Sequence, residues 1–269
     1  MPIDLIRRCR ARPRAPSPVL FLPGAFAGAW MWAETVLPRF AAAGFDAYAM
    51  SFRGHGQQGW PLHSLGLKDY VSDLAHVVDA LPAPPVLVGH SLGGLVAYEF
   101  ARTREVPAVV MFSAVPPDGT ARSFGALARH HPVSAAKMAV MSLFPPARML
   151  GRPPVGVYSD RVPGPRAREF TRRLQPESWR VLREVFSRPR SMAQPLEVPT
   201  YVVGTTGDHL IPASEVRRTA ALLDAPCRIF EGFSHTPFVE PDWEIIADDL
   251  VRWITGALEA GMAARKLRA

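Results

Sequence analysis

Short apolar runs alternate with amphipathic stretches along most of this 269-residue chain. The apolar runs have the length and composition of buried β-strands, and the stretches between them space their apolar residues as one face of a helix does. Strands are predicted near residues 19–22, 47–51, 85–89, 107–113, 199–204 and 227–231. Helices are predicted near residues 30–43, 67–81, 92–103, 214–224 and 242–259. This alternation predicts an α/β fold whose mainly parallel central sheet has helices on both faces.

The alternation stops between Val115 and Pro195, where the chain becomes rich in arginine and is interrupted by prolines. We call residues 115–195 the inserted segment. Its helix-compatible blocks lie near residues 122–143, 164–174 and 176–187. An α/β fold of this length is often a single unit, and 48% hydrophobic residues suffice for a large core. One domain is therefore expected over residues 1–269.

The first 18 residues are basic, with five arginines and one aspartate. We interpret residues 1–18 as a leader in which Ile3–Arg10 could add an antiparallel edge strand. The arginines also interrupt the segment Ile3–Ala15, so it lacks the apolar centre of a signal peptide, and no apolar run approaches twenty residues. A soluble, cytoplasmic protein is expected.

A candidate nucleophile lies where a predicted strand meets a predicted helix. Residues 89–94 read GHSLGG, directly after the apolar run that ends at Gly89. A nucleophile elbow needs this context, because its serine occupies a strained turn and the flanking glycines keep the neighbouring backbone from clashing. Ser91 is therefore the candidate nucleophile.

An acid and a base follow later in the chain. Asp208 lies in the loop after the strand predicted at 199–204, and His235 lies in the loop after the strand predicted at 227–231. A serine hydroxyl is a weak nucleophile until a base takes its proton and an acid orients that base. The order Ser, Asp, His, each after a strand, is that of the α/β-hydrolase arrangement. We expect Ser91, Asp208 and His235 to form a catalytic triad.

These motifs resemble those of the α/β-hydrolase fold superfamily, in its compact serine esterase, lipase and thioesterase-like branch. The resemblance extends over most of residues 19–115 and 196–257. It implies that the inserted segment, placed after the sixth strand, is a helical cap, or lid, that shapes the substrate pocket. It also implies that the loop after residues 19–22 completes an oxyanion hole, with the backbone N–H groups of Ala25 and Leu92 as donors.

Two loops depart from the family pattern. Pro23 stands where the family usually has a histidine before Gly24, which leaves the N–H of Ala25 available. The turn at residues 51–56, SFRGHG, resembles the glycine-rich turn of the family, which usually begins with aspartate. Ser51 can make a similar but weaker local hydrogen bond there.

The resemblance implies cleavage of a carboxylic ester or thioester through an acyl-enzyme intermediate, and three alternatives stay open. Residues 24–32 also resemble plant methyl esterases and hydroxynitrile lyases. Those lyases have threonine at the position of Gly24 and lysine at that of Thr236, so both departures favour hydrolysis. An acyltransferase or cyclase of a biosynthetic pathway, and a non-catalytic small-molecule receptor on the same fold, are the other two alternatives.

The distribution of charge along the chain indicates which binding partners the protein could have. The net charge of +7 is unevenly distributed, because the inserted segment holds fourteen Lys/Arg against five Asp/Glu. This segment could attract an anionic acyl group, a phosphate-bearing thioester carrier or, weakly, an acidic membrane surface; alternatively, its arginines are simply solvated. A nucleic-acid partner is not expected, because no binding motif accompanies the charge.

The apolar residues of the inserted segment suit a hydrophobic substrate, or simply pack its helices together. They are Met138, Met141, Leu143, Phe144, Met149 and Leu150. Cys9 and Cys227 have the spacing of neither a disulfide framework nor a metal site, and we expect no cofactor and no metal. The sequence leaves the acyl group, the leaving group and the oligomeric state open.

Overall fold

The structure, a computed structural model, describes residues 3–9, 15–56, 62–143 and 155–268. Seven strands form one sheet: β1 (Leu5–Arg8), β2 (Val19–Leu22), β3 (Ala47–Met50), β4 (Val86–His90), β5 (Val109–Phe112), β6 (Thr200–Thr205) and β7 (Cys227–Phe230). Their order in the sheet is β1-β3-β2-β4-β5-β6-β7. All neighbouring strands are parallel except β1, which pairs antiparallel with β3. The mainly parallel sheet predicted from the sequence is confirmed.

Ten α-helices accompany the sheet in the described residues: α1 (Trp30–Ala33), α2 (Val36–Ala42), α3 (Leu67–Ala80), α4 (Leu92–Ala101), α5 (Ala121–His130), α6 (Pro132–Leu143), α7 (Gly164–Arg173), α8 (Trp179–Phe186), α9 (Ala213–Leu222) and α10 (Glu244–Arg268). None of the described helices combines the length and the apolar character that a bilayer span would need.

The core lies in two layers, one on each face of the sheet. Side chains of successive strand residues point to opposite faces, so Val19 and Phe21 of β2 contribute to one core and Leu20 and Leu22 to the other. Helices α1, α2 and α10 pack on the first face, and α3, α4 and α9 pack on the second. Strands covered on both faces read as continuous apolar runs, which is why they were visible in the sequence.

Two of the predicted helices are each interrupted at or shortly before a proline. The helix expected at 30–43 is two helices, because Pro38 lacks an N–H and its ring would clash with the carbonyl of Glu34 one turn earlier. The block expected at 122–143 divides into α5 and α6 at Pro132, which occupies the first position of α6. Proline is favoured there because the first N–H of a helix has no partner within the helix.

The inserted segment follows β5, so five strands precede it rather than the six expected. In the described part of the chain only one strand, β1, forms before β2, and the sheet therefore has one strand fewer ahead of the insertion. β1 lies within the basic leader, of which residues 1–2 and 10–14 are outside the described residues. Phe144, Met149 and Leu150 are outside them as well, as are the side chains of Met141 and Leu143.

Arginines connect the inserted segment to the rest of the chain. Ion pairs join Arg122 to Glu215, Arg161 to Asp242, Arg173 to Glu34 and Arg188 to Glu99. The Arg173 guanidinium also lies 4.5 Å from the ring centre of Trp30. Exposed ion pairs each add little stability, but several together favour one orientation. Part of the positive charge of the inserted segment is thus opposed by acidic groups of the sheet and its helices.

Candidate active site

Ser91 lies in a tight turn between β4 and α4. Its backbone has φ 51° and ψ −118°, a conformation that costs free energy for any residue with a side chain. Two glycines permit the turn. A Cβ on Gly89 would lie 2.3 Å from the carbonyl oxygen of Gly93, and a Cβ on Gly93 would lie 2.5 Å from that of Pro23. The turn therefore has the backbone geometry expected of a nucleophile elbow.

Asp208 and His235 meet at the carboxyl ends of β6 and β7. The Nδ1 atom of His235 is 2.7 Å from Oδ2 of Asp208, and both side chains are buried. The other carboxylate oxygen of Asp208 accepts hydrogen bonds from the N–H groups of Leu210 and Ile211, at 2.8 and 2.9 Å. These two bonds fix the carboxylate, so it can orient the imidazole.

His90, next to Ser91, supports the backbone of His235. Its Nε2 atom lies 2.8 Å from the carbonyl oxygen of His235, and the two ring centres are 4.7 Å apart. Complete burial, together with the nearby His235, lowers the pKa of His90 to about 3. His90 is therefore neutral near pH 7, and its Nε2–H donates to that carbonyl.

The loop that carries the oxyanion candidate Ala25 bends sharply at the next residue. Phe26 has φ +66°, in the left-handed region that non-glycine residues rarely adopt. Its N–H donates to Oε2 of Glu177 at 3.3 Å, and its carbonyl accepts from the N–H of Gln175 at 2.7 Å. The N–H of Phe26 is thus already engaged, which leaves that of Ala25 as the candidate donor of this loop. Leu92, the other candidate, is the first residue of α4, where N–H groups lack partners within the helix.

Four of the five candidate residues face a cavity of about 790 Å³. Ser91, His235, Ala25 and Leu92 lie on its wall, and most of the remaining wall is apolar. The inserted segment supplies much of that apolar wall, including Phe124, Leu127, Met138, Leu182, Val185 and Phe186. A second cavity of about 100 Å³ adjoins Ser91 and His235 and extends towards Phe170 of α7. Ser91, His235 and Ala25 therefore line both cavities and Leu92 lines the larger one, whereas Asp208 contacts His235 without lining either.

A family model described as the alpha/beta hydrolase family matches residues 19–247, which is most of the chain. The chain belongs to the alpha/beta hydrolase family. This membership confirms the superfamily predicted from the sequence, and it supports a hydrolase.

Named relatives of this α/β hydrolase include lipases. It is 28% identical to the monoacylglycerol lipase of Mycolicibacterium smegmatis over 243 residues, 83% of this chain and 82% of that protein. The crystal structure of Paleococcus ferrophilus monoacylglycerol lipase matches with a TM-score of 0.66 at 18% identity, covering 96% of this chain and all of that one. Bromoperoxidase from Bacillus anthracis matches with a TM-score of 0.70, also at 18% identity, covering 95% and 96%. At these identities the two structures show the shared fold.

Two buried glutamates of this α/β hydrolase were missed in the sequence. The Glu240 carboxylate accepts hydrogen bonds from the N–H of Ser234, at 2.9 Å, and from the Ser159 hydroxyl. These bonds hold the loop that carries His235 in place. Glu177 holds the loop that carries Ala25 by accepting a hydrogen bond from the N–H of Phe26. Both carboxylates are almost fully buried. A glutamate that follows a proline in an arginine-rich segment gives no local sign of such burial.

The possible metal-binding side chains of this α/β hydrolase do not form a cluster in the described residues. Among the residues that the structure describes, no group of three or more His, Cys, Asp or Glu side chains is arranged to hold a metal ion.

Proposed function

We propose that this chain is a serine hydrolase that cleaves a carboxylic ester or thioester through an acyl-enzyme on Ser91. The observation that carries the proposal is the 2.7 Å contact between His235 and Asp208, because this histidine opens onto the same cavity as Ser91. A serine acts as a nucleophile when a base takes its proton and a third group orients that base.

In the first half-reaction, Oγ of Ser91 attacks the carbonyl carbon and its proton passes to Nε2 of His235. Asp208 holds the Nδ1–H, which keeps Nε2 unprotonated and ready to accept. The N–H groups of Ala25 and Leu92 stabilise the oxyanion that forms. The bond to the alcohol or thiol then breaks, and the leaving group takes the proton from His235.

In the second half-reaction, His235 takes a proton from water as the water attacks the acyl carbonyl. A second oxyanion forms in the same place and collapses to the carboxylic acid. Ser91 recovers its proton from His235 as the acyl bond breaks, so the protein returns to its starting state. No cofactor enters either half-reaction.

The cavity supports an apolar substrate. A space of about 790 Å³ with a mainly apolar wall favours burial of a hydrocarbon chain. The Mycolicibacterium smegmatis relative is named a monoacylglycerol lipase, which supports an esterase or lipase activity for this chain as well. We therefore propose esters with an extended apolar acyl group, monoacylglycerols among them, and we propose that the inserted segment acts as the cap that shapes this cavity.

Labelling with a fluorophosphonate probe tests the proposal. The intact chain is compared with Ser91→Ala and with Ser72→Ala, a serine on α3 outside both cavities, and the modified peptide is mapped by mass spectrometry. We expect labelling at Ser91 in the intact chain and in Ser72→Ala, no labelling in Ser91→Ala, and turnover of p-nitrophenyl esters that follows the same pattern. A folded protein that neither labels nor turns over any ester or thioester would refute the proposal in favour of a receptor.

A further inference from the structure

The loop that carries Ala25 is held by residues of the inserted segment. Both backbone hydrogen-bonding groups of Phe26 have partners in Gln175–Glu177, between α7 and α8. The N–H reaches the Glu177 carboxylate and the carbonyl receives the N–H of Gln175. A left-handed conformation is unfavourable for a non-glycine residue, so it persists only where the surroundings impose it.

The carboxylate of Glu177 is itself fixed from several sides. Its Oε1 atom accepts hydrogen bonds from the Tyr70 hydroxyl at 2.6 Å and from the N–H of Ser178 at 2.7 Å. Its Oε2 atom lies 3.3 Å from Nε2 of His55, an ion-pair contact rather than an aligned hydrogen bond. Both oxygens are thus committed, and the acceptor offered to Phe26 has little freedom to move.

The charges of this cluster favour an ionised carboxylate. Burial alone would raise the pKa of Glu177, but His55, Tyr70 and the N–H of Ser178 outweigh it and lower that pKa. Burial would likewise lower the pKa of His55, yet Glu177 raises it. A charged acceptor makes a stronger hydrogen bond to a backbone N–H than a neutral one does.

Gln175 extends the same connection to the glycine-rich turn. Its side-chain oxygen accepts from the N–H of Gly56 at 2.6 Å, and its side-chain nitrogen donates to the carbonyl of Gly56 at 2.8 Å. Gln175 and Glu177 of the inserted segment therefore join two loops of the α/β domain, and one of these loops carries the oxyanion candidate.

We propose that Glu177 is a positioning residue, which holds Phe26 in its left-handed conformation and thereby keeps the N–H of Ala25 directed at the reacting carbonyl. The inference rests on the proposed function. Without the carboxylate, Phe26 can return to a negative φ by rotating the peptide that joins it to Ala25, and the preceding peptide, which carries the donor, shifts with it. The inserted segment then contributes to transition-state stabilisation as well as to the cavity wall.

Two neutral replacements of similar length separate this role from a structural one. Glu177→Gln can still offer its single carbonyl oxygen to the N–H of Phe26, with its NH2 group turned to the Tyr70 hydroxyl and the bond from the Ser178 N–H lost, whereas Glu177→Met offers no acceptor. Loss of one oxyanion donor typically lowers kcat by about 10²–10³-fold. We expect kcat of Glu177→Met to fall by about 10- to 100-fold with KM near the wild-type value, and Glu177→Gln to retain most of the activity.

Glu184→Met is the matched control. Glu184 is also an acid of the inserted segment, and it accepts the N–H of Leu67 at 2.7 Å, but it touches neither Phe26 nor the two cavities. Its replacement weakens the attachment of α8 to α3 and leaves the loop of Ala25 intact. An equal loss of kcat in Glu184→Met and Glu177→Met, or a change in KM alone, would overturn the proposal.

Hydrogen exchange at the Phe26 amide, followed by NMR, gives a readout that does not need turnover. We expect protection in the wild type and in Glu177→Gln, and faster exchange in Glu177→Met. Rapid exchange in the wild type would overturn the proposal even if Glu177→Met does not fold. A wild type without esterase activity counts against the proposed function alone, because the amide comparison still decides whether Glu177 holds the loop.

Discussion

Narrowing the large cavity should shorten the acyl chain that the protein accepts. Ala139 of α6 lies on the cavity wall, whereas Ala136, three residues earlier on the same helix, is exposed and outside it. Ala139→Trp inserts an indole into the cavity, and Ala136→Trp makes the same change on the surface. The two variants share the cost of tryptophan in a helix, so the difference between them isolates the effect of the cavity.

The expected magnitude follows from burial of the acyl chain. Each buried methylene contributes about 0.8 kcal/mol, or about a fourfold increase in kcat/KM when the chain is buried in the transition state. If each methylene-sized group occupies roughly 30 Å³, half of the 790 Å³ cavity accommodates about a dozen such groups. If the indole displaces two methylenes, kcat/KM for long esters should fall by about fifteenfold, or ~1.6 kcal/mol.

The assay is hydrolysis of p-nitrophenyl esters from acetate to laurate. In the wild type and in Ala136→Trp, kcat/KM should rise steadily with chain length and then level off. In Ala139→Trp it should level off earlier, with acetate hydrolysis unchanged. A wild-type profile that is flat from acetate to laurate, or identical profiles for the two tryptophan variants, would refute the assignment of the acyl chain to this cavity.

Three other predictions concern the elbow and the histidines. Asp208→Asn should lower kcat on the order of 10⁴-fold through the wrong tautomer of His235, with KM little changed in ester kinetics; activity close to wild type would contradict the triad. Gly93→Ala should lower both the melting temperature and kcat, because the new Cβ meets the Pro23 carbonyl at 2.5 Å. Gly125→Ala on α5, where nothing lies within 4 Å, should instead add about 0.5–1 kcal/mol to the free energy of unfolding. Burial lowers the pKa of His90 from 6.5 to about 3 in the folded protein. As the pH falls, His90 is therefore protonated in the unfolded chain before it is protonated in the folded protein, and the free energy of unfolding should decrease between pH 6.5 and pH 3. The slope is up to about 1.4 kcal/mol per pH unit, and urea unfolding at several pH values should show a shallower dependence for His90→Gln.

The sequence predicted most strands and helices because their signals are local. Strands buried on both faces are continuous apolar runs, and the break one turn before Pro38 and the division at Pro132 follow from proline chemistry that the sequence also displays. Asp208 and His235 could be singled out because parallel strands bring their following loops to one edge of the sheet.

The role of Glu177 could not be predicted in this way. Its partners Phe26 and Tyr70 are 151 and 107 residues away in the chain, and nothing in the residues beside it differs from an exposed acidic position. The ion pairs between the inserted segment and the rest of the chain could not be predicted either, because a count of charged residues does not say which of them form pairs. Such contacts depend on how the inserted helices are placed on the sheet, which local patterns do not encode.

The connection through Gln175 and Glu177 limits how far this protein can be re-engineered in modules. Exchanging residues 115–195 for the corresponding segment of a relative is an obvious way to change substrate preference. Such a chimera would lose the acceptor of the Phe26 N–H and the donor to its carbonyl together with the old cavity wall. A productive graft would therefore retain Gln175 and Glu177 and exchange only α5, α6 and the outer face of α8.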